Sequence, residues 1–443
     1  MLLLLFASSF LFGPFPGAAQ ESTRGKLWNN PEGNEAFMDW GLGVFVHWGV
    51  DVQIGSVISH SMVGASPEYL ERYISELPAS FNPRDFEPDR WAKLAKLAGF
   101  KYMVFTTKHH SGFCMWPSET TGFSIENTPF KRDVVGEYVQ ACRENGLKVG
   151  FYFSPDDFHF LHKQGRTISR LAEYASITGN PELLEFNKQQ VKELLTAYGP
   201  IDLMFFDSFE NEALVQFTHQ LQPGCIVTRG EMETPEQLVP DAPVPGPWEA
   251  CFTLGNQWQY KPTNEEYKTG TGLIEMLIEI RAKGGNLLIN MGPDPDGGIP
   301  FEQERIFREL ALWMFVNRES IYDIRPCPVI RERDIWFTRS KDGSDAYLFL
   351  TGQEYWDLGE ERFFTVHSVK TTGTTEISVL GQNDSVVEYR PEINPVSQFS
   401  QQEDGLTISV YRAQRLYNNR RWPNPVVVKL TNVLFTENKP KNT

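Results

Sequence analysis

The chain has 443 residues, of which 41 % are hydrophobic and 22 % charged, and it carries a formal net charge of −16. That composition belongs to a folded globular protein, and the length suits one large domain with a smaller one. Such an acidic surface excludes nucleic acid as a partner and disfavours anionic membranes.

Residues 1–19 run apolar from Met1 and end in Gly17-Ala18-Ala19, just before Gln20-Glu21-Ser22. This reads as a signal peptide cleaved near Ala19, which implies a secreted, periplasmic or lysosomal-type location. Pro14, Pro16 and the short length argue against a spanning helix, and no other segment is apolar enough to cross a bilayer, so no stable membrane insertion is expected. The five cysteines (Cys114, Cys142, Cys225, Cys251 and Cys327) include no Cys-x-x-Cys pair and read as buried thiols rather than a disulfide frame or zinc cluster.

From Val44 to about Ser320, short β-branched or aromatic runs alternate with amphipathic stretches. Strands are predicted over 44–47, 102–106, 149–153, 202–206, 226–228 and 287–290. Helices are predicted over 89–98, 133–144, 181–198, 210–221, 274–282 and 301–316, several of them closed by glycine. This alternation implies a parallel sheet, and no Gly-x-Gly-x-x-Gly follows the first strand, so an α/β fold of the (β/α) TIM-like barrel type is expected. After Arg325-Pro326 only short alternating segments remain, which predicts a C-terminal antiparallel β-sandwich. The expected division is residues 1–19 signal peptide, 20–323 barrel catalytic domain and 324–443 sandwich.

Polar residues gather just after the strand ends: His47, His109-His110, Asp156-Asp157, Asp207, Arg229 and Asn290. Barrel enzymes place their chemistry at that rim. Asp207 follows the apolar run Leu203-Met204-Phe205-Phe206, which suits either a rigidly held nucleophile or an N-cap for the next helix. Glu249, in Pro247-Trp248-Glu249, is a candidate second carboxyl. Its apolar neighbours would raise its pKa as an acid catalyst needs, although taken alone a surface glutamate on a proline-rich loop is the better reading, because glutamates are common. His47, His109 and His110 suit hydroxyl recognition better than metal binding, because no His-x-x-x-His or His-Glu-x-x-His spacing accompanies them. Arg229 suits a carboxylate, a sugar hydroxyl or a structural ion pair. Ser111 lies in no Gly-x-Ser-x-Gly elbow.

The ordered motifs resemble the retaining α-L-fucosidases of glycoside hydrolase family 29. They are Phe45-Val46-His47-Trp48-Gly49, Phe81-Asn82-Pro83, Ala98-Gly99-Phe100-Lys101-Tyr102, Thr107-Lys108-His109-His110 with Gly112-Phe113 and Trp116, Asp202 through Asp207, Trp248-Glu249 before Trp258-x-Tyr260, and Lys283-Gly284-Gly285-Asn286 through Asn290. The resemblance implies that Asp207 is the nucleophile and Glu249 the acid/base. It implies that His47, Glu68, His109, His110, Trp116 and Arg229 bind sugar, that no metal or organic cofactor takes part, and that the partner is a fucosylated oligosaccharide or glycoconjugate. Retention requires the two carboxyl groups to lie about 5–5.5 Å apart, so placement on opposite rims would remove Glu249 from its role. Ser111, Ser208-Phe209 and Glu68-Tyr69-Leu70 depart from the family's usual residues. They leave open a related retaining glycosidase for another deoxy- or galacto-configured sugar, and a non-catalytic carbohydrate-binding protein stands as the reading from another class. A metal-dependent hydrolase through His109-His110 is the weakest alternative. The oligomeric state is not written in the sequence.

Overall fold

The computed structural model describes residues 28–208, 210–353, 355–414, 416 and 423–436; the expected signal peptide lies outside them. Seven parallel strands make one curled sheet: β1 (Leu42–Val46), β2 (Tyr102–Lys108), β3 (Lys148–Phe153), β4 (Leu203–Phe206), β5 (Ile226–Val227), β6 (Glu249–Phe252) and β7 (Asn286–Met291). Their spatial order is β5-β4-β3-β2-β1-β7-β6. The helices are α1 (Pro31–Trp40), α2 (Pro67–Ser80), α3 (Pro88–Ala98), α4 (Val134–Glu144), α5 (Phe158–Lys163), α6 (Pro181–Ala197), α7 (Glu212–Leu221), α8 (Gly270–Ala282) and α9 (Phe301–Asn317). This is the expected TIM-like arrangement, with its strands buried on both faces.

Two separate cores explain why these strands read as continuous apolar runs. One lies between the sheet and its helices and includes Val44, Met103, Phe105, Val149, Met204 and Ile289. The other fills the curl with Phe45, Tyr102, Val104, Tyr152, Leu203, Phe205, Ile226, Cys251 and Leu288. Successive side chains on a strand alternate between these two cores. Gly43 is a position where bulk is excluded: a Cβ there would lie 2.3 Å from the Tyr102 ring. The lower end of the curl is covered by α1, whose Phe37 joins the inner core while Asn286 Nδ2 donates to its carbonyl.

The structure adds elements that local pattern does not reveal. Helices α1 and α2 begin on Pro31 and Pro67 behind the N-caps Asn30 and Ser66. Strand β6 occupies residues that read as loop in the sequence.

From Ile324 onward the strands are antiparallel. β8 (Ile324–Glu332), β9 (Ile335–Ser340), β10 (Ala346–Leu350), β11 (Glu361–Val366), β12 (Val369–Thr371), β13 (Ile377–Val379), β14 (Gln398–Gln401), β15 (Leu406–Tyr411), β16 (Val426–Leu430) and β17 (Val433–Phe435) form sheets ordered β13-β16-β10-β9-β8, β11-β15-β14 and β12-β17. Their own core holds Phe337, Leu348, Trp356, Ile408 and Val428. The two regions are joined by packing as well as by the chain: Trp313 on α9 stacks on Phe349 and donates to the Pro425 carbonyl at 2.8 Å.

Candidate active site

Asp207 leaves the C-terminal end of β4 two residues beyond the inward-facing Phe205, so its carboxylate stands above the inner core. Both of its oxygens are bound. Tyr152 donates to Oδ2 at 2.6 Å and Arg229 Nη1 to Oδ1 at 2.8 Å. Burial alone would raise the Asp207 pKa; the Arg229 guanidinium, with the Tyr152 hydrogen bond, outweighs it and holds the carboxyl well below its ordinary range. A permanently ionised carboxylate whose side chain is still 19 % exposed at the rim is what a nucleophile requires.

The histidines surround it in defined protonation states. Burial lowers all three imidazoles, His47 to about 4 and His110 to about 3, so they are neutral. Asn290 donates through Nδ2 to the Trp258 carbonyl, which leaves its Oδ1 to accept from His47 Nδ1–H at 2.6 Å. His47 Nε2 is therefore an acceptor. His109 Nδ1 accepts from the His110 backbone N–H at 2.8 Å, so its proton sits on Nε2 and the ring is a donor. His110 Nδ1 lies 2.5 Å from Ser154 Oγ, which itself donates to the Asp156 carbonyl. His110 Nε2 then faces Asp207 Oδ2 across 3.4 Å as an unpartnered acceptor. Together the rings offer one donor and two acceptors, a set suited to sugar hydroxyls. Tyr152 stacks on His109 and on Phe205, and Trp258 lies against His47, giving the site apolar walls.

His109, His110 and Asp207 also bring three potential ligand atoms within 4.8 Å of one another. The donor chemistry favours hydroxyls over a cation: His109 Nδ1 is already an acceptor in the fold, and the Arg229 cation and Tyr152 hydroxyl already bind the Asp207 carboxylate.

The strand end carrying the histidines is held from behind. Lys108 is fully buried and donates to Asp157, Asn187 and Gln190 at 3.1, 2.8 and 2.8 Å. A charge taken out of water survives only with such complete pairing. Gly112 closes the same turn at φ +87°, where a Cβ would lie 2.1 Å from Asp157 Oδ1.

Glu249 does not join this cluster. It is the first residue of β6, in register with Asn286 at the lower end of β7, and its side chain meets the Tyr102 hydroxyl inside the curl. Tyr102 is level with Lys148, and Tyr152, which binds Asp207, lies four residues further up β3. The two tyrosines are therefore separated by roughly 13 Å of strand. Glu249 is 0 % exposed and bound to Tyr102 at the start of β2, and among the described residues no hydrogen bond or ion pair joins it to Asp207. The expected acid/base role for Glu249 is therefore corrected. Its burial does raise its pKa, to about 7, but for a structural reason.

A prediction follows from the sign of that shift. Between about pH 4.5 and 7 the unfolded chain releases this proton while the folded one keeps it, so Glu249 costs stability as pH rises through that window, on the order of 3 kcal/mol. Glu249→Gln should abolish that part of the pH dependence and melt higher than wild type at pH 8. It should also retain hydrolysis within about threefold, whereas loss of a general acid costs about 10²–10⁴-fold. Thermal melts from pH 4.5 to 8, with rates on an aryl glycoside, check both parts.

The second carboxyl at the rim is Glu236. Residues 233–237 run alongside β6 through Glu249 N–Glu233 O, Cys251 N–Pro235 O and Gln237 N–Cys251 O hydrogen bonds. This sets Glu236 beside Cys251 with its side chain 43 % exposed. Arg229 Nη1 donates to Glu236 Oε2 at 3.0 Å as well as to Asp207. With one nitrogen holding both oxygens, these can be no more than about 5.8 Å apart, which accommodates the retaining separation of about 5–5.5 Å.

Two other expected site residues also fall elsewhere. Trp116 is 1 % exposed and donates to Glu193 on α6 at 2.8 Å, so it packs the barrel wall and cannot offer a face to sugar. Glu68 lies exposed in the first turn of α2, and among the described residues no hydrogen bond or ion pair joins it to the Asp207 cluster. His47, His109, His110, Arg229 and Asp207 are brought together as expected. Tyr152, Trp258 and Glu236 complete the cluster.

Comparison with known proteins now bears on this geometry. The α-L-fucosidase family model matches residues 18–319, most of the chain. The chain belongs to the α-L-fucosidase family. Human plasma α-L-fucosidase is 28 % identical over 409 residues, covering 83 % of this chain and 84 % of that protein. Mouse tissue α-L-fucosidase is 28 % identical over 378 residues, covering 77 % and 81 %. Among solved structures, α-L-fucosidase isoenzyme 1 from Paenibacillus thiaminolyticus superposes with a TM-score of 0.72 at 28 % identity, covering 90 % of this chain and 98 % of that one. A family 29 fucosidase from Bacteroides thetaiotaomicron, trapped as a covalent intermediate in complex with 2-fluoro-fucosyl fluoride, superposes with a TM-score of 0.71 at 26 % identity, covering 92 % and 98 %. The family relationship and that trapped intermediate support a retaining fucosidase and do not favour the alternative sugars or a non-catalytic binder.

Proposed function

We propose that this fucosidase releases terminal α-L-fucose from fucosylated oligosaccharides or glycoconjugates with Asp207 as nucleophile and Glu236 as acid/base. The observation that supports the assignment is the single Arg229 nitrogen shared by the two carboxylates, which keeps their nearest oxygens within about 5.8 Å and so accommodates the retaining separation.

Asp207 Oδ attacks the anomeric carbon while Glu236 gives its proton to the departing glycosidic oxygen, forming a covalent fucosyl-enzyme. Glu236 then takes a proton from water, which attacks the same carbon and frees Asp207. His47 and His110 accept from ring hydroxyls and His109 donates to one, holding the sugar over Asp207. Trp258 supplies an apolar surface suited to the fucose methyl group. The leader read in residues 1–19 supports action outside the cytoplasm.

Proton NMR of early hydrolysis of an aryl α-L-fucoside tests the stereochemical course. α-L-Fucose should be the first product, ahead of mutarotation. β-L-Fucose as the first product would mean a single displacement and would remove the nucleophile role from Asp207.

A further inference from the structure

Asp156 and Arg170 form a second charged pair beside Asp207, on the side away from Arg229 and Glu236. Asp156 follows β3 and is 6 % exposed. Arg170 Nε donates to its Oδ2 at 3.1 Å, and the same oxygen lies 3.9 Å from Nδ1 of His110, whose other nitrogen faces Asp207. The Arg170 charge reaches both imidazoles of the double histidine and the Tyr152 hydroxyl.

The segment bearing Arg170, residues 164–180, does not depend on this pair for its anchorage. Ile168 and Ile177 are buried in the main core, the Tyr174 hydroxyl donates to the Thr167 carbonyl, and the Asn180 side chain caps α6. Thr178 donates to Glu210, three residues beyond Asp207, so the segment lies along the nucleophile's own loop.

The two rim arginines are used differently. Arg229 spends Nε, Nη1 and Nη2 on Thr234, Asp207, Glu236 and Cys251. Arg170 spends only Nε. Among the described residues its Nη1 and Nη2 have no hydrogen-bond partner, and its side chain is 24 % exposed. Asp156 balances its charge, so the group is a hydroxyl donor set rather than a trap for anions. A half-buried guanidinium fork with idle donors beside a nucleophile matches a neutral, oxygen-rich ligand.

We propose that Arg170 is a substrate-binding, specificity-determining residue whose Nη groups donate to one hydroxyl of the sugar held over Asp207, with Asp156 as its positioning residue. This rests on the fucosidase reading, with Asp207 marking the reacting centre.

The test pairs enzyme and substrate deletions. An aryl α-L-fucoside and its analogues lacking the hydroxyl at carbon 2, 3 or 4 are assayed with wild type, Arg170→Met, Arg170→Lys and Asp156→Asn. Arg170→Met should lower kcat/KM on the parent by about 10–100-fold, as for a lost hydrogen bond to a charged donor. On one analogue that loss should shrink to about threefold or less. Asp156→Asn should show the same substrate pattern, and Arg170→Lys should recover part of the parent rate. Any intrinsic change in an analogue's reactivity cancels in the ratio to wild type. An equal loss on all four substrates, or no loss on the parent, would overturn the proposal. If Arg170→Met does not fold, Arg170→Lys carries the same comparison. Failure of the catalytic reading is separate, since it would show as turnover surviving in Asp207→Ala whatever the Arg170 variants do.

Discussion

Asp207→Ala is expected to lose at least about four orders of magnitude in kcat/KM on an aryl α-L-fucoside while melting as a folded protein. No other described carboxylate could take over the attack. Glu236 is tied to the opposite end of the Arg229 bridge, Asp156 is buried against Arg170, and Glu249 is below the inner core. Removing the carboxylate frees Arg229 Nη1, which keeps Glu236 as a partner, so the rim retains a paired guanidinium and the fold survives. The space vacated beside Tyr152 and Arg229 also suits a small anion. Azide entering there would attack the anomeric carbon from the face Asp207 used and give β-L-fucosyl azide, with the aryl group leaving under protonation by Glu236. Recovery of that product would locate the nucleophile. Wild-type rates in the alanine variant would remove Asp207 from the role.

Part of this site was legible because the sequence repeats one local pattern. An apolar run ends in a polar residue, and in a parallel barrel every such end faces the same rim. Asp207 after Leu203–Phe206, His47 after β1 and His109-His110 after β2 all obey it. The tautomers of the imidazoles were not legible, because they depend on partners as distant as Asn290 and Ser154. The same holds for Tyr152, which from the sequence is one more aromatic within a strand. Only the curl brings its hydroxyl onto Asp207.

Glu249 and Glu236 show how the rule fails. Glu249 begins a strand where the candidates of the rule end one. Pro245-Gly246-Pro247 in front of it reads as loop, which hid the four-residue strand β6 and reversed the inferred level of the carboxyl in the barrel. Its apolar surroundings and raised pKa then resemble those of an acid catalyst, though they arise from the floor of the barrel. Glu236 lies in the irregular segment after Arg229, among Glu231, Glu233 and Thr234-Pro235. That segment has no periodicity and is positioned by backbone bonds to β6, 14 to 16 residues downstream, and by the Arg229 side chain. The available signal was weak: three glutamates within seven residues of the rim arginine. Trp116 was misplaced for a different reason. It follows closely on the double histidine, but its indole turns away from the rim to Glu193 on α6.

Glu236→Ala should separate the two halves of the reaction. With a poor leaving group, such as a natural fucosylated oligosaccharide, the first step needs the proton that Glu236 supplies, and kcat/KM should fall by about 10²–10⁴-fold. An aryl fucoside whose phenolate leaves without protonation escapes that requirement, so its kcat/KM should fall far less. The second step still lacks a base to activate water, so the covalent fucosyl-enzyme on Asp207 should accumulate and kcat should drop, with KM dropping alongside it. Azide needs no base. It should restore kcat by attacking the intermediate and yield α-L-fucosyl azide, the opposite anomer to that from Asp207→Ala. The pair of products then assigns each carboxyl to its face of the sugar without reference to absolute rates. Equal losses on both leaving groups, with no azide adduct, would leave Glu236 as a partner of Arg229 alone and return the acid/base role to another rim group. The geometry favours the first result, because among the described residues Glu236 is the one carboxylate that shares a guanidinium nitrogen with Asp207 and is itself open to solvent, where a departing sugar must go.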